Sequence, residues 1–165
     1  MSVQNLYRAS VTLAFVALAA VSAQAQTTAT QTVTFEVKAI NQIAFAGSPS
    51  LTITTAVAGS APTSVTDATA TWAITTNQST VKITASIPTA MPGGLTLSAN
   101  LTAPTLNGSS AGMVALGTAA TDMVTGIAKL AQGGLGITYK LDATAAAGVV
   151  TSSTRVVTYT ITGGT

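Results

Sequence analysis

Glu36, Asp67, Asp122 and Asp142 are the only carboxylate side chains in this 165-residue chain, which has neither histidine nor cysteine. They therefore carry nearly all the acid–base and metal-binding chemistry open to it. Cutting a glycosidic bond needs two carboxyl groups held across a sugar ring. Here the four are scattered one to a region, and Glu36 and Asp142 occupy solvent-facing positions of alternating runs, where charge discourages unwanted edge pairing. Calcium calls for several oxygen ligands grouped closely, and Asp67, Asp122 and Asp142 are isolated. No motif marks one of the many serines as a nucleophile. Gly93-Gly94 and Gly133-Gly134 lack the lysine and following helix of a phosphate loop. These residues point away from an enzyme, with no catalytic residue, cofactor or metal site expected.

The cations lead to a second exclusion. Past the first 25 residues the chain keeps Lys38, Lys82, Lys129, Lys140 and Arg155 against the four carboxylates, a net of +1. Nucleic-acid binding relies on clustered Lys and Arg that displace phosphate counterions. These five are spread along the chain, so no nucleic-acid partner is expected.

The opening residues set the expected compartment. Met1–Arg8 form a short positively charged segment, Ala9–Ala23 an apolar run, and Ala23-Gln24-Ala25 a small-x-small cleavage site. The run is too short for a membrane span of about 20 apolar residues. Residues 1–25 are read as a signal peptide, and residues 26–165 as one domain without a membrane span. The product is expected to be exported, to the periplasm, the cell surface or the medium. With no disulfide available, that domain must hold itself by packing and backbone pairing.

The elements that would position any functional residue follow from a repeating alternation. Thr32–Lys38 places Val33, Phe35 and Val37 on one face and polar residues on the other. The pattern recurs at Leu51–Thr54, Ala70–Thr75, Val81–Ile87, Leu95–Leu101, Met113–Leu116, Leu135–Leu141 and Val157–Thr162. A sheet with one dry face and one wet face demands this period of two. Threonine supplies most of the wet face, since its β-branched side chain suits a pleated surface.

Turn residues separate the runs, among them Gly47-Ser48-Pro49, Gly59-Ser60-Ala61-Pro62, Met91-Pro92-Gly93-Gly94, Asn107-Gly108-Ser109 and Gly133-Gly134. Pro88, Pro92 and Pro104 fall where strands should end. The short link Thr76–Thr80 predicts a hairpin between the strands of Trp72 and Ile83. Residues 119–131 read as a strand with an excursion, because Gly126 weakens a helical turn. The expected fold is all-β, a single immunoglobulin-like antiparallel sandwich of eight or nine strands.

Such a sandwich could bind through its surfaces. Carbohydrate modules present a row of exposed aromatics. Of Phe35, Phe45, Trp72, Tyr139 and Tyr159, four are in phase with the apolar face of their strands and are expected in the core. The Thr-x-Thr pairs recur too irregularly to match an ice lattice. An outer-membrane barrel would want longer strands and aromatic girdles.

The strand Gln31–Lys38, the run Trp72-Ala73-Ile74-Thr75-Thr76-Asn77 and the closing strand Arg155–Thr162 together resemble secreted bacterial β-sandwich proteins of the fimbrial-subunit and spore-coat-U type, whose chains also close on a Val/Thr/Tyr strand. This chain departs from many fimbrial subunits in having no disulfide. The resemblance implies a non-catalytic structural or surface protein in which an N-terminal segment of one subunit adds to the open sheet edge of the next. Residues 28–37 would be that donor, with Val33, Phe35 and Val37 as its plugs. Two placements remain open for them: donated to another molecule, or kept as the first strand of their own domain. The partner would be a second copy of the chain or another surface protein. A carbohydrate- or surface-binding module is the alternative function.

Overall fold

Strand pairing begins at Asn41, well after the alternating run of Val33, Phe35 and Val37 has ended. The structure is a computed structural model that describes residues 27–164, so the expected leader, residues 1–25, lies outside the described residues. The chain divides into two units, Met1–Glu36 and Val37–Thr165. In the first, residues 27–36 form no strand and all are exposed.

The second unit holds nine described strands: β1 Asn41–Ala46, β2 Val65–Thr76, β3 Val81–Ser86, β4 Leu95–Leu101, β5 Ser109–Ser110, β6 Val114–Ala115, β7 Thr121–Ile127, β8 Leu130–Ala143 and β9 Thr158–Thr162. One sheet has the order β1-β2-β8-β4-β6 and the other β5-β7-β3-β9. Every pairing is antiparallel. This is an all-β, two-sheet sandwich, as the alternation predicts. No described helix is long and apolar enough to cross a membrane.

The alternation becomes the core directly. Val81, Ile83 and Ala85 of β3 are fully buried, while Lys82, Thr84 and Ser86 look outward. From the other sheet come Trp72 and Ile74 of β2, Ala99 and Leu101 of β4, and Leu135 and Ile137 of β8. Each large aliphatic or aromatic side chain removed from water contributes about 1.5–3 kcal/mol. The three prolines fall just outside strands: Pro88 after β3, Pro92 before β4 and Pro104 after β4.

Several expectations need correction. The strands of Trp72 and Ile83 form no hairpin, because β2 pairs with β1 and β8 while β3 pairs with β7 and β9. Their short link crosses between sheets, and the two side chains join one core from opposite sides. Gly133-Gly134 is no turn but lies inside β8. There Trp72 pairs with Leu135 and Ile74 with Gln132, so β8 carries one extra residue. That bulge is eased by Gly134, whose φ of 68° suits glycine. Residues 119–131 are mostly strand, β7 and the start of β8. Strand β1, Asn-Gln-Ile-Ala-Phe-Ala, was not foreseen, because its weak alternation lacks the Thr spacing that marks the others. Leu51–Thr54 and Thr32–Lys38 alternate but form no strand.

Candidate functional site

The charged side chains serve separate places. Lys82 pairs with Asp122 at 2.8 Å across β3 and β7. Lys140 pairs with Asp142 at 2.8 Å along β8. The Asp142 carboxylate also accepts a hydrogen bond from the Ser64 hydroxyl. Among the described residues no three carboxylates gather at one point.

Asp67 is a fastener. One carboxylate oxygen accepts from the backbone and hydroxyl of Thr69, at 2.8 and 2.6 Å, and the other from the Ser50 backbone at 2.8 Å. These bonds, the Thr69 hydroxyl first, hold its pKa below the ordinary 3.8. A depressed carboxylate pKa stabilises the fold above the unfolded value, and that contribution is lost as pH falls through the folded value. Acidification from pH 5 toward pH 2 is therefore expected to loosen the attachment of Ser50 to β2. The stability-versus-pH curve of Asp67→Asn, followed by circular dichroism, should be shallower over that window; identical slopes would remove Asp67 from this role.

Val33, Phe35 and Val37, the side chains expected to act as plugs, are all exposed. Val33 is 72% exposed, Phe35 89% and Val37 77%. Val33 and Phe35 belong to the first unit, and Val37 opens the second. Just beyond, Asn77 grips the chain. Its Nδ2 donates to the Lys38 carbonyl at 2.7 Å, and its Oδ1 accepts from the Ile40 backbone N–H at 2.8 Å. The sandwich therefore holds its chain from Lys38 onward.

Within the sandwich unit the two sheets part to leave a cleft of mixed character, in which Ser50, Thr52, Ser152, Ser153, Thr154 and Arg155 face aliphatic and aromatic side chains. One lobe, about 740 Å³, is lined by Ile43 and Phe45 of β1, Leu97 of β4, Tyr139 and Leu141 of β8, and Val157 and Tyr159. A second lobe of about 550 Å³ continues past Ile53, Leu95 and Val150. Leu51, Met91 and Leu141 border both lobes, which makes them the middle of one long depression. The cleft exists because β8 runs on to Ala143 whereas the β3–β9 ladder stops at Ser86 and Thr158. Leu97 and Leu141 thus meet a cavity where a strand of the second sheet would otherwise lie.

Aromatic side chains form one end of the cleft. Phe45 stacks on Tyr159 with ring centroids 4.2 Å apart and planes 13° from parallel, and on Trp72 at 6.4 Å and 14°. The Tyr139 and Tyr159 hydroxyls share a 2.8 Å hydrogen bond. Burial raises the pKa of both phenols, so they remain neutral donors and acceptors. Of the five aromatics past residue 25 only Trp72 and Tyr139 are buried; Tyr159 is half-buried, and Phe45 and Phe35 are exposed, so fewer reach the core than the strand phase predicts.

The alternation of residues 32–38 is legible in the sequence, and the cleft is not. Only the Leu51–Thr54 alternation hinted at a wall, and nothing in Ser152-Ser153-Thr154-Arg155 marked the other. No protein-family model matches this chain, and neither a curated protein nor a solved structure does.

Proposed function

We propose that this chain is a non-catalytic, exported structural protein of the cell surface or extracellular matrix. It assembles into fibres with copies of itself by strand addition, and residues 28–37 are the donated strand. One observation carries this reading: an alternating apolar run with Phe35 89% exposed precedes a sandwich that builds its strands without it. Unpaired backbone beside a row of apolar side chains is the pattern that β-augmentation uses, hydrogen bonds giving affinity and alternate side chains giving specificity. The pattern resemblance to fimbrial and spore-coat-U sandwiches agrees with it, including the immunoglobulin-like architecture. No specific observation favours the carbohydrate-binding alternative, since Trp72 and Tyr139 are buried.

Removing residues 26–37 from the chain tests the proposal. The cut spares Lys38 and Ile40, where Asn77 anchors the chain. Negative-stain microscopy and size-exclusion chromatography should show fibres for the chain that begins at residue 26, and soluble folded monomers for the shortened one. Unfolding of the shortened chain, or fibres from it, would count against a donated strand.

A further inference from the structure

The cleft sets an apolar floor against a polar rim. Phe45 of β1, Leu97 of β4 and Leu141 of β8 rise from one sheet, and Leu97 stands opposite Leu141 in the β4–β8 register. The stretch Ser152–Arg155 borders them with hydroxyls and one charge. The first lobe, about 740 Å³, falls within the roughly 300–1,000 Å³ of small-molecule sites. Tyr139 and Tyr159 bond each other through their hydroxyls at 2.8 Å, so that end of the lobe makes little polar demand on an occupant. Arg155 is the only charged side chain lining either lobe. Its Nη1 donates to the Thr154 carbonyl at 2.9 Å and its Nη2 to the Ala90 carbonyl at 3.4 Å, which holds the guanidinium next to Met91, where the lobes meet. The ion pairs among the described residues, Lys82–Asp122 and Lys140–Asp142, leave Arg155 without a side-chain carboxylate. Its Nε is buried and has no acceptor, an unmet donor of the kind that a bound ligand or water usually explains.

We infer that the cleft binds a free long-chain fatty acid, its carboxylate on Arg155 and its hydrocarbon chain on Leu97, Leu141 and Phe45. An unmatched guanidinium beside an apolar floor suits an anion that brings its own hydrocarbon. The guanidinium fork matches a planar carboxylate with two parallel hydrogen bonds. One positive charge with no second cation lining the cleft suits a monoanion better than a phosphate dianion. Met91, unbranched and adaptable, borders both lobes and can settle against an alkyl chain. None of these residues lies in segment 28–37, so the inference goes beyond the donated-strand reading and does not depend on it.

Isothermal titration calorimetry of the chain that begins at residue 26 tests this with sodium laurate kept below its micelle concentration. Binding should saturate at a single laurate per chain. Decanoate and octanoate should bind more weakly, by about two- to fourfold for each methylene removed. Dodecyltrimethylammonium, with a similar tail and the opposite charge, should not compete. Arg155→Gln should weaken laurate binding by about tenfold or more, through loss of the charged hydrogen bonds. Lys38→Gln, which removes an exposed cation outside the cleft, should leave it unchanged. Met91→Trp fills the junction of the lobes and should also weaken binding, which keeps the test open if Arg155→Gln folds poorly. Circular dichroism of each variant must match the parent chain. Several outcomes overturn the inference: no saturable binding, equal affinity in the parent and in a folded Arg155→Gln, competition by the cationic amphiphile, or uptake of many laurates with loss of the β signal. Fibres that form but take up no laurate would sink the inference and leave strand donation standing. Saturable laurate binding by a chain that forms no fibres would do the reverse.

Discussion

Trp72→Ala is expected to lower the stability of the sandwich by about 3–5 kcal/mol, a large part of the 5–15 kcal/mol typical of a domain. Trp72 is 1% exposed at the centre of β2 and ranks among the largest fully buried side chains. Its ring stacks on Phe45, and its Nε1–H donates to the Thr102 carbonyl at 3.2 Å. Truncation opens a cavity beneath β1 and leaves that carbonyl without its indole donor. Urea unfolding followed by circular dichroism measures the loss, since the substitution removes the chain's only tryptophan as a fluorescent probe. The midpoint of thermal unfolding should fall by about 10–20 °C. Trp72→Phe should cost clearly less, because it keeps most of the ring area and gives up chiefly the hydrogen bond. Equal costs for the two would mean that the polar contact, not the packing, decides this position.

The second large effect is expected at one of two adjacent glycines. Gly94 has φ of 81°, and a β-carbon there would come within 2.6 Å of the Ala147 backbone nitrogen. Its carbonyl accepts the Thr144 backbone N–H at 2.8 Å, tying the entry of β4 to the end of β8. Gly94→Ala therefore combines left-handed strain with a backbone collision that no side chain can relieve, a loss of about 2–3 kcal/mol. Gly93 has open space where its β-carbon would lie. Gly93→Ala should be neutral or stabilise by about 0.4–1 kcal/mol, through the reduced freedom of the unfolded chain. Chemical denaturation of both variants checks the pair. Similar destabilisation at the two positions would show that turn flexibility, not the Ala147 contact, is what matters.

These two residues also show how far a sequence can be read. Trp72 lay in an alternating run, and its burial followed from its phase. The turn at Gly93-Gly94 followed from composition, yet which glycine is indispensable did not, because the obstacle at Gly94 is a backbone atom 53 positions along the chain. Gly133-Gly134 shows the same limit from the other side. The identical dipeptide becomes a bulge within β8 because β2 supplies a partner on either side of it. The cleft was illegible for a related reason: a groove comes from a missing neighbour, and local pattern reports what a segment contains rather than what fails to lie beside it.

The amino-acid order alone determined the two-faced strands, most of the core and the row formed by Val33, Phe35 and Val37, because side-chain period and hydrophobicity are local properties. Only the tertiary structure decided which strands share a sheet, that the alternating run 32–38 joins none of them, and where the two sheets part to leave a cleft. Those outcomes depend on competition among edges distant in sequence, and backbone hydrogen bonding is nearly the same for every residue, so its pairing choices leave little trace in the residues themselves.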